Sequence, residues 1–189
     1  MRKIFVFNLI TLDGFFAGPK GEIDWHNYDQ EMGIYSAEQM KTLGGLIFGR
    51  TTYELMFSYW PTPEGMKSEP VVADIMNTIP KIVFSKTLKP VTDGSIWKHT
   101  TVLNEIKPEE IIKLKQQEGK DLAIFGSGTI VQQFTNLGLI DEYRLVVNPI
   151  ILGDGKPLFK DVTNRRKLKF IDLKEFKNGN VLLKYQPVQ

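Results

Sequence analysis

Three short stretches combine backbone and side chains suited to holding phosphate. The first is Gly126-Ser127-Gly128-Thr129-Ile130, which follows the apolar run Leu122-Ala123-Ile124-Phe125 and opens a helix-like pattern. A strand that turns through two glycines into a helix leaves N–H groups free at the positive end of the helix dipole, where anions are attracted. Glycine also lets a ligand approach the backbone, because no Cβ intervenes. A plain strand–helix turn explains the stretch equally well. The dinucleotide fingerprint Gly-x-Gly-x-x-Gly is incomplete, since Val131 stands at its third glycine. The second stretch is Gly49-Arg50-Thr51-Thr52 after Leu46-Ile47-Phe48, and the third is Ser85-Lys86-Thr87 after Lys81-Ile82-Val83-Phe84. Two of the three read as helix N-termini able to hold a diphosphate. The third offers a hydroxyl and a cation, which suit the 2′-phosphate of NADP better than a bare ribose, whose usual partner is acidic.

The elements around these turns alternate. Ile4 to Ile10 reads as a central strand, and residues 11–29 as a long loop, of a length that is usually functional. Ser36-Ala37-Glu38-Gln39 forms a capping-box pattern for a helix ending near Leu43, and Thr51-Thr52-Tyr53-Glu54 forms another. Residues 59–70 read as irregular, with a short helix from Pro70 to Met76. Lys81 to Phe84 and Trp97 to Leu103 read as strands, with His99 structural in the second. Pro108 starts a helix with acidic residues in its first turn. The helix after Gly128 stops at Gly138. Glu142 to Asn148 alternates as a strand, and Asn178-Gly179 signals a hairpin between Leu168–Phe176 and Val181–Tyr185. The pattern predicts one α/β domain over residues 1–189: three layers, a mostly parallel central sheet and a C-terminal antiparallel hairpin.

Composition narrows the function classes. A net charge of +2 gives no reason to expect nucleic acid or an acidic membrane as partner. The absence of cysteine excludes disulfides, a cysteine nucleophile and Cys-ligated zinc or iron–sulfur sites. No apolar stretch approaches the ~18 residues of a membrane span, and a cytoplasmic protein is expected.

Several of these blocks together resemble the dihydrofolate reductase-like fold, and within it the RibD C-terminal (riboflavin-pathway reductase) family. Thr11-Leu12-Asp13-Gly14-Phe15-Phe16-Ala17 looks like the family's Ser-x-Asp-Gly-x-x-Ala loop. Gly49-Arg50-Thr51-Thr52-Tyr53-Glu54 looks like its Gly-Arg-x-Thr-x-Glu element. The most specific block runs from Gly138-Leu139-Ile140-Asp141-Glu142 to Pro149-Ile150-Ile151-Leu152-Gly153-Asp154-Gly155 and Pro157-Leu158-Phe159. The resemblance implies an NADPH-dependent reductase acting on a pteridine- or ribosylaminopyrimidine-type small molecule. Gly49, Arg50, Thr51 and Thr52 would hold the diphosphate and ribose. Ser85 with Lys86 would meet the 2′-phosphate. Gly126, Ser127, Gly128, Thr129 and Ile130 would hold the diphosphate from its other side. Leu12, Asp13 and Ala17 would line the nicotinamide end. The family also implies a homodimer, with the closing strands as an interface. Without cysteine, the chain lacks the zinc deaminase of bifunctional riboflavin-pathway members. A non-catalytic NADP(H)-binding module of the same fold is the alternative.

Hydride transfer needs a proton as well, from a carboxylic acid or an ordered water. Asp13 and Asp24 are the candidate acids. Asp13 precedes a glycine and could equally form a turn, and Asp24 could equally cap a loop. Asp29 is expected to cap the next helix. Trp25, Tyr28, Tyr53 and Phe57 could stack on a flat heterocycle, and core packing explains Phe57 as well. His26 with Asp24 and Asp29 has poor ligand geometry, so no metal is expected.

Overall fold

The computed structural model describes residues 1–89, 97 and 99–188. Its core is an eight-stranded sheet in the order β5-β4-β3-β6-β1-β7-β10-β9. The strands are β1 (Ile4–Thr11), β3 (Leu43–Gly49), β4 (Lys81–Phe84), β5 (Thr100–Leu103), β6 (Asp121–Phe125), β7 (Glu142–Asn148), β9 (Leu168–Glu175) and β10 (Val181–Pro187). The first six are parallel, and β10 and β9 run antiparallel to them. Two short strands, β2 (Phe15–Ala17) and β8 (Lys156–Pro157), pair outside this sheet. The helices are α1 (Gln30–Lys41), α2 (Arg50–Tyr59), α3 (Pro63–Ser68), α4 (Pro70–Thr78), α5 (Pro108–Gln116) and α6 (Gly128–Asn136).

Strand alternation divides the core into the expected layers. On β1, Ile4 and Val6 pack with Ile111, Ile130, Val131 and Phe134 of α5 and α6. Phe5, the residue between them, faces the other way and packs with Met40, Tyr53, Val72 and Met76 of α1, α2 and α4. A sheet covered on both faces needs apolar residues at successive positions, which is why β1, β3 and β6 read as continuous apolar runs. Burying each large side chain of this kind contributes about 1.5–3 kcal/mol.

Several boundaries differ from the sequence expectation. Ser36 lies inside α1 rather than at its start. Asp29 caps that helix, accepting from the Met32 N–H at 2.9 Å, as expected of it. Thr51 likewise lies inside α2, whose N-cap is Gly49. In both places the Ser/Thr-x-x-Glu/Gln pattern is present, but an upstream turn starts the helix first. Residues 59–70 contain α3, capped by Thr62. β5 begins only at Thr100, after His99. Trp97, expected at the start of that strand, is instead a turn residue, fully buried, and donates to Asn77 Oδ1 at 2.7 Å. Residues 90–96 and 98 lie outside the described ones. The hairpin turns at Asn178-Gly179 as its sequence suggests, with Gly179 at φ 90°. β9 is the sheet edge, and Leu168, Phe170, Ile171 and Leu173 on it are exposed. Among the described residues, no helix is long and apolar enough to cross a membrane.

Candidate active site

The carboxyl ends of β3, β4 and β6 open into a cleft of about 1080 Å³. All three predicted turns line it: Gly49, Arg50, Thr51 and Thr52; Ser85 and Lys86; and Gly126 to Ile130. This volume is at the upper end of small-molecule sites, roughly 300–1,000 Å³, and leaves space for two ligands side by side.

Local chemistry fastens the two helix-bearing turns to each other. Ser127 Oγ accepts from the Gly49 N–H at 2.7 Å, and the Ser127 N–H donates to Thr52 Oγ1 at 2.9 Å. Ser127 has φ 54°, the only positive value of a non-glycine residue among those described. A left-handed backbone at such a residue costs of order 1–3 kcal/mol and clusters at functional sites. Gly126 is left-handed as well. Gly128 is needed for space: a Cβ there would lie 2.5 Å from the Phe16 ring, which the β2 segment lays over the turn. Within α6 the Ile130 and Val131 N–H groups bond to Ser127 O. The Gly128 and Thr129 N–H groups precede these donors and sit where a helix start has donors to spare.

Arg50 has a reach that its place in the motif does not reveal. Its Nη1 donates to Thr87 Oγ1 at 2.7 Å, so the guanidinium stands beside the Ser85-Lys86-Thr87 turn. It also pairs with Glu54 at 2.7 Å, and both side chains are about half exposed. Exposed pairs of this kind are worth only about 0–1 kcal/mol, so an incoming anion displaces Glu54 at little cost. Ser85 Oγ accepts from the Thr87 and Leu88 N–H groups, which shapes the turn.

The 11–29 loop forms the opposite rim, and it divides the expected residues. Ala17 and Tyr28 line the cleft. Leu12 is 66% exposed and does not line it. Neither candidate acid lines it. Asp13 accepts from Thr11 Oγ1 and from the Leu152 and Gly153 N–H groups, clamping the loop to the segment after β7. The Thr11 bond leads in holding the Asp13 carboxyl below the usual range. Asp24 is exposed, away from the cleft. Tyr53 and Phe57 stack on each other and against Trp97, outside the cleft. Trp25 packs edge-on to His26 and donates to Glu22 O.

The cleft also contains residues that sequence reasoning missed. Asn8, on β1, is 3% exposed; its Nδ2 is 3.5 Å from Gly126 O, and its Oδ1 has no partner among the described residues. A polar residue inside an apolar strand was the available signal. Burial pushes the His26 imidazole down to about 4, so it is neutral, and its Nε2 is buried without a partner. Among the described residues no three His, Asp or Glu side chains are grouped to hold a metal. The loop is tied down by Asn27. Its N–H donates to Asn148 Oδ1 and its Nδ2 to Asn178 O, while its carbonyl accepts from the Asn178 and Asn180 amides.

Residues 2–182 match the pattern of the RibD C-terminal domain. The chain belongs to that family. It is 35% identical over 184 residues to the uncharacterized protein YyaP of Bacillus subtilis, covering 97% of this chain and 94% of that one. It is 30% identical over 176 residues to YwjB of the same organism, covering 93% and 92%. Among solved structures, a putative riboflavin biosynthesis protein from Shewanella sp. PV-4 superposes with a TM-score of 0.75 at 24% identity, covering 99% of both chains. A deaminase/5-amino-6-(5-phosphoribosylamino)uracil reductase from Thermotoga maritima superposes with a TM-score of 0.65 at 16% identity, covering 99% of this chain and 57% of that one. These RibD-like structures share the mostly parallel sheet and closing hairpin, so the fold is that of the RibD-like reductases.

Proposed function

We propose that this protein is an NADPH-dependent reductase of a small flat heterocycle. The single observation that carries the reading is the joining of the Gly49–Thr52 and Gly126–Ile130 turns through Ser127, beside the Arg50–Lys86 cation pair, on one cleft. The two helix starts suit a diphosphate, and the two cations suit a 2′-phosphate. When bound, the cofactor supplies the hydride. Asn8 presents an amide at the sheet end, where it matches the carboxamide of a nicotinamide donor for acceptor. Phe16 and Ala17 cover the turn from the loop side and exclude water. Asp13 and Asp24 have no part in this reading, and the accompanying proton comes from water.

Titration with NADPH tests it, read as energy transfer from tryptophan, since Trp60 lines the cleft. Micromolar binding is expected. Lys86→Ala is expected to weaken NADPH roughly fivefold to tenfold, the size of one partly exposed charge-assisted bond, and to leave NADH unchanged. Absence of binding below millimolar NADPH, or a preference for NADH, refutes it. Tight binding with no oxidation across folates and riboflavin precursors would favour the non-catalytic NADP(H)-binding module.

A further inference from the structure

The charged side chains lining the cleft are sorted by position. Arg50 and Lys86 belong to the phosphate-side turns, and Glu105 lies beside Lys107. Lys156, from β8, stands at the rim, where a Cβ on Gly21 would come 3.3 Å from its Nζ. The remaining one is Glu69, at the junction of α3 and α4, on the wall formed with α1. Its carboxylate has no hydrogen bond or ion pair among the described residues. It lies against the α1 backbone at Gly33, where a Cβ would be 2.6 Å from Oε1. Tyr28 and Ser36 stand beside it. Burial raises the Tyr28 hydroxyl above its usual range, opposed by its bond to Ser36, with Glu69 adding to the rise. His26, neutral and with an unpartnered Nε2, lines the same cleft from the same loop as Tyr28. Much of the rest of this end is apolar, including Met40, Met56 and Val72.

We propose that Glu69 anchors the substrate end of the cleft by accepting N–H bonds from an amidine-like or amino-substituted nitrogen ring, and that this end rejects a phosphate or carboxylate. A carboxylate accepts two parallel N–H bonds in fork geometry, and apolar surroundings strengthen them. An anion at this wall would meet a like charge with no cation between them, which is how a site discriminates by repulsion. The phosphate-side cations belong to the other end. A substrate whose phosphorylated tail points toward α4 is therefore excluded, while one whose amino-substituted ring points there is held. This inference rests on reading the cleft as that of a reductase.

Benzamidine and benzoate, one shape with opposite charge, probe the site by calorimetry with and without saturating NADPH. The wild-type protein is expected to bind benzamidine and to prefer it to benzoate. Glu69→Gln is expected to weaken benzamidine roughly tenfold to a hundredfold, the loss of charge from a charge-assisted pair, without weakening benzoate or NADPH. Gly33→Ala, which favours the α1 helix intrinsically but displaces the carboxylate, is expected to weaken benzamidine without lowering the melting temperature. Equal benzamidine affinity in wild type and Glu69→Gln, or a wild-type preference for benzoate, overturns the assignment. If NADPH does not bind while Glu69-dependent benzamidine binding persists, the reductase reading fails and the anchor stands. If NADPH binds and the two probes are not distinguished, the anchor alone fails.

Discussion

Ser127 offers the sharpest test of how the cleft is held together. Replacing it by alanine removes the oxygen that accepts the Gly49 N–H at 2.7 Å and leaves the left-handed backbone in place. A partly buried donor left without its acceptor costs about 1–2 kcal/mol. For a chain of this size each kcal/mol moves the melting temperature by about 2–4 °C, so Ser127→Ala is expected to melt about 2–8 °C below wild type. Ser127→Gly loses the same bond but relieves the left-handed strain, by about 1–2 kcal/mol, against about 0.5–1 kcal/mol of added unfolded-state freedom. It is expected to melt slightly above Ser127→Ala. Both variants should bind NADPH more weakly, because the two phosphate-side turns are no longer joined. Thermal unfolding followed by circular dichroism, then a cofactor titration, reads both effects. A Ser127→Ala protein that melts with wild type, or a glycine variant clearly below the alanine variant, refutes the fastening role.

Two further predictions concern charge and assembly. His26 is pushed from 6.5 to about 4 in the fold. Between those values the unfolded chain binds a proton that the native state does not, so stability falls as pH falls through the window, by up to ~3 kcal/mol. Urea unfolding of His26→Gln at pH 4 to 7 should show a shallower pH dependence than wild type, and an unchanged slope removes the claim. The exposed Leu168, Phe170, Ile171 and Leu173 on the edge strand β9 are where a second copy is expected to pair. Light scattering should give a dimer mass that Phe170→Lys reduces, and a monomeric wild type overturns it.

The sequence made the phosphate side of the cleft legible because backbone turns carry it, and glycines after apolar runs mark such turns. Strand alternation and Asn178-Gly179 did the same for the sheet. The opposite wall was not legible. Glu69 follows α3 in a stretch that reads as irregular, and only tertiary packing brings it to Gly33. Asp13 looked like an acid because a carboxylate before a glycine fits either a site or a turn, and its partners lie 139 and 140 residues away. Tyr53 and Phe57 are spaced to stack on one helix face, and whether that face meets ligand or core depends on Trp97, which no local pattern locates.

The Asn27 bonds to Asn178 and Asn180 span 151 and 153 residues of chain. During synthesis the loop that carries His26 and Tyr28 is made early, yet its tether leaves the ribosome among the last residues of the domain. Contacts of such separation form late and slow the folding of the chains that rely on them. The phosphate-side turns, all complete by Ile130, are exposed to nucleotide before the far rim is fixed. The C-terminal hairpin thus acts as a timing element, the step that turns an open nucleotide shelf into a closed chamber.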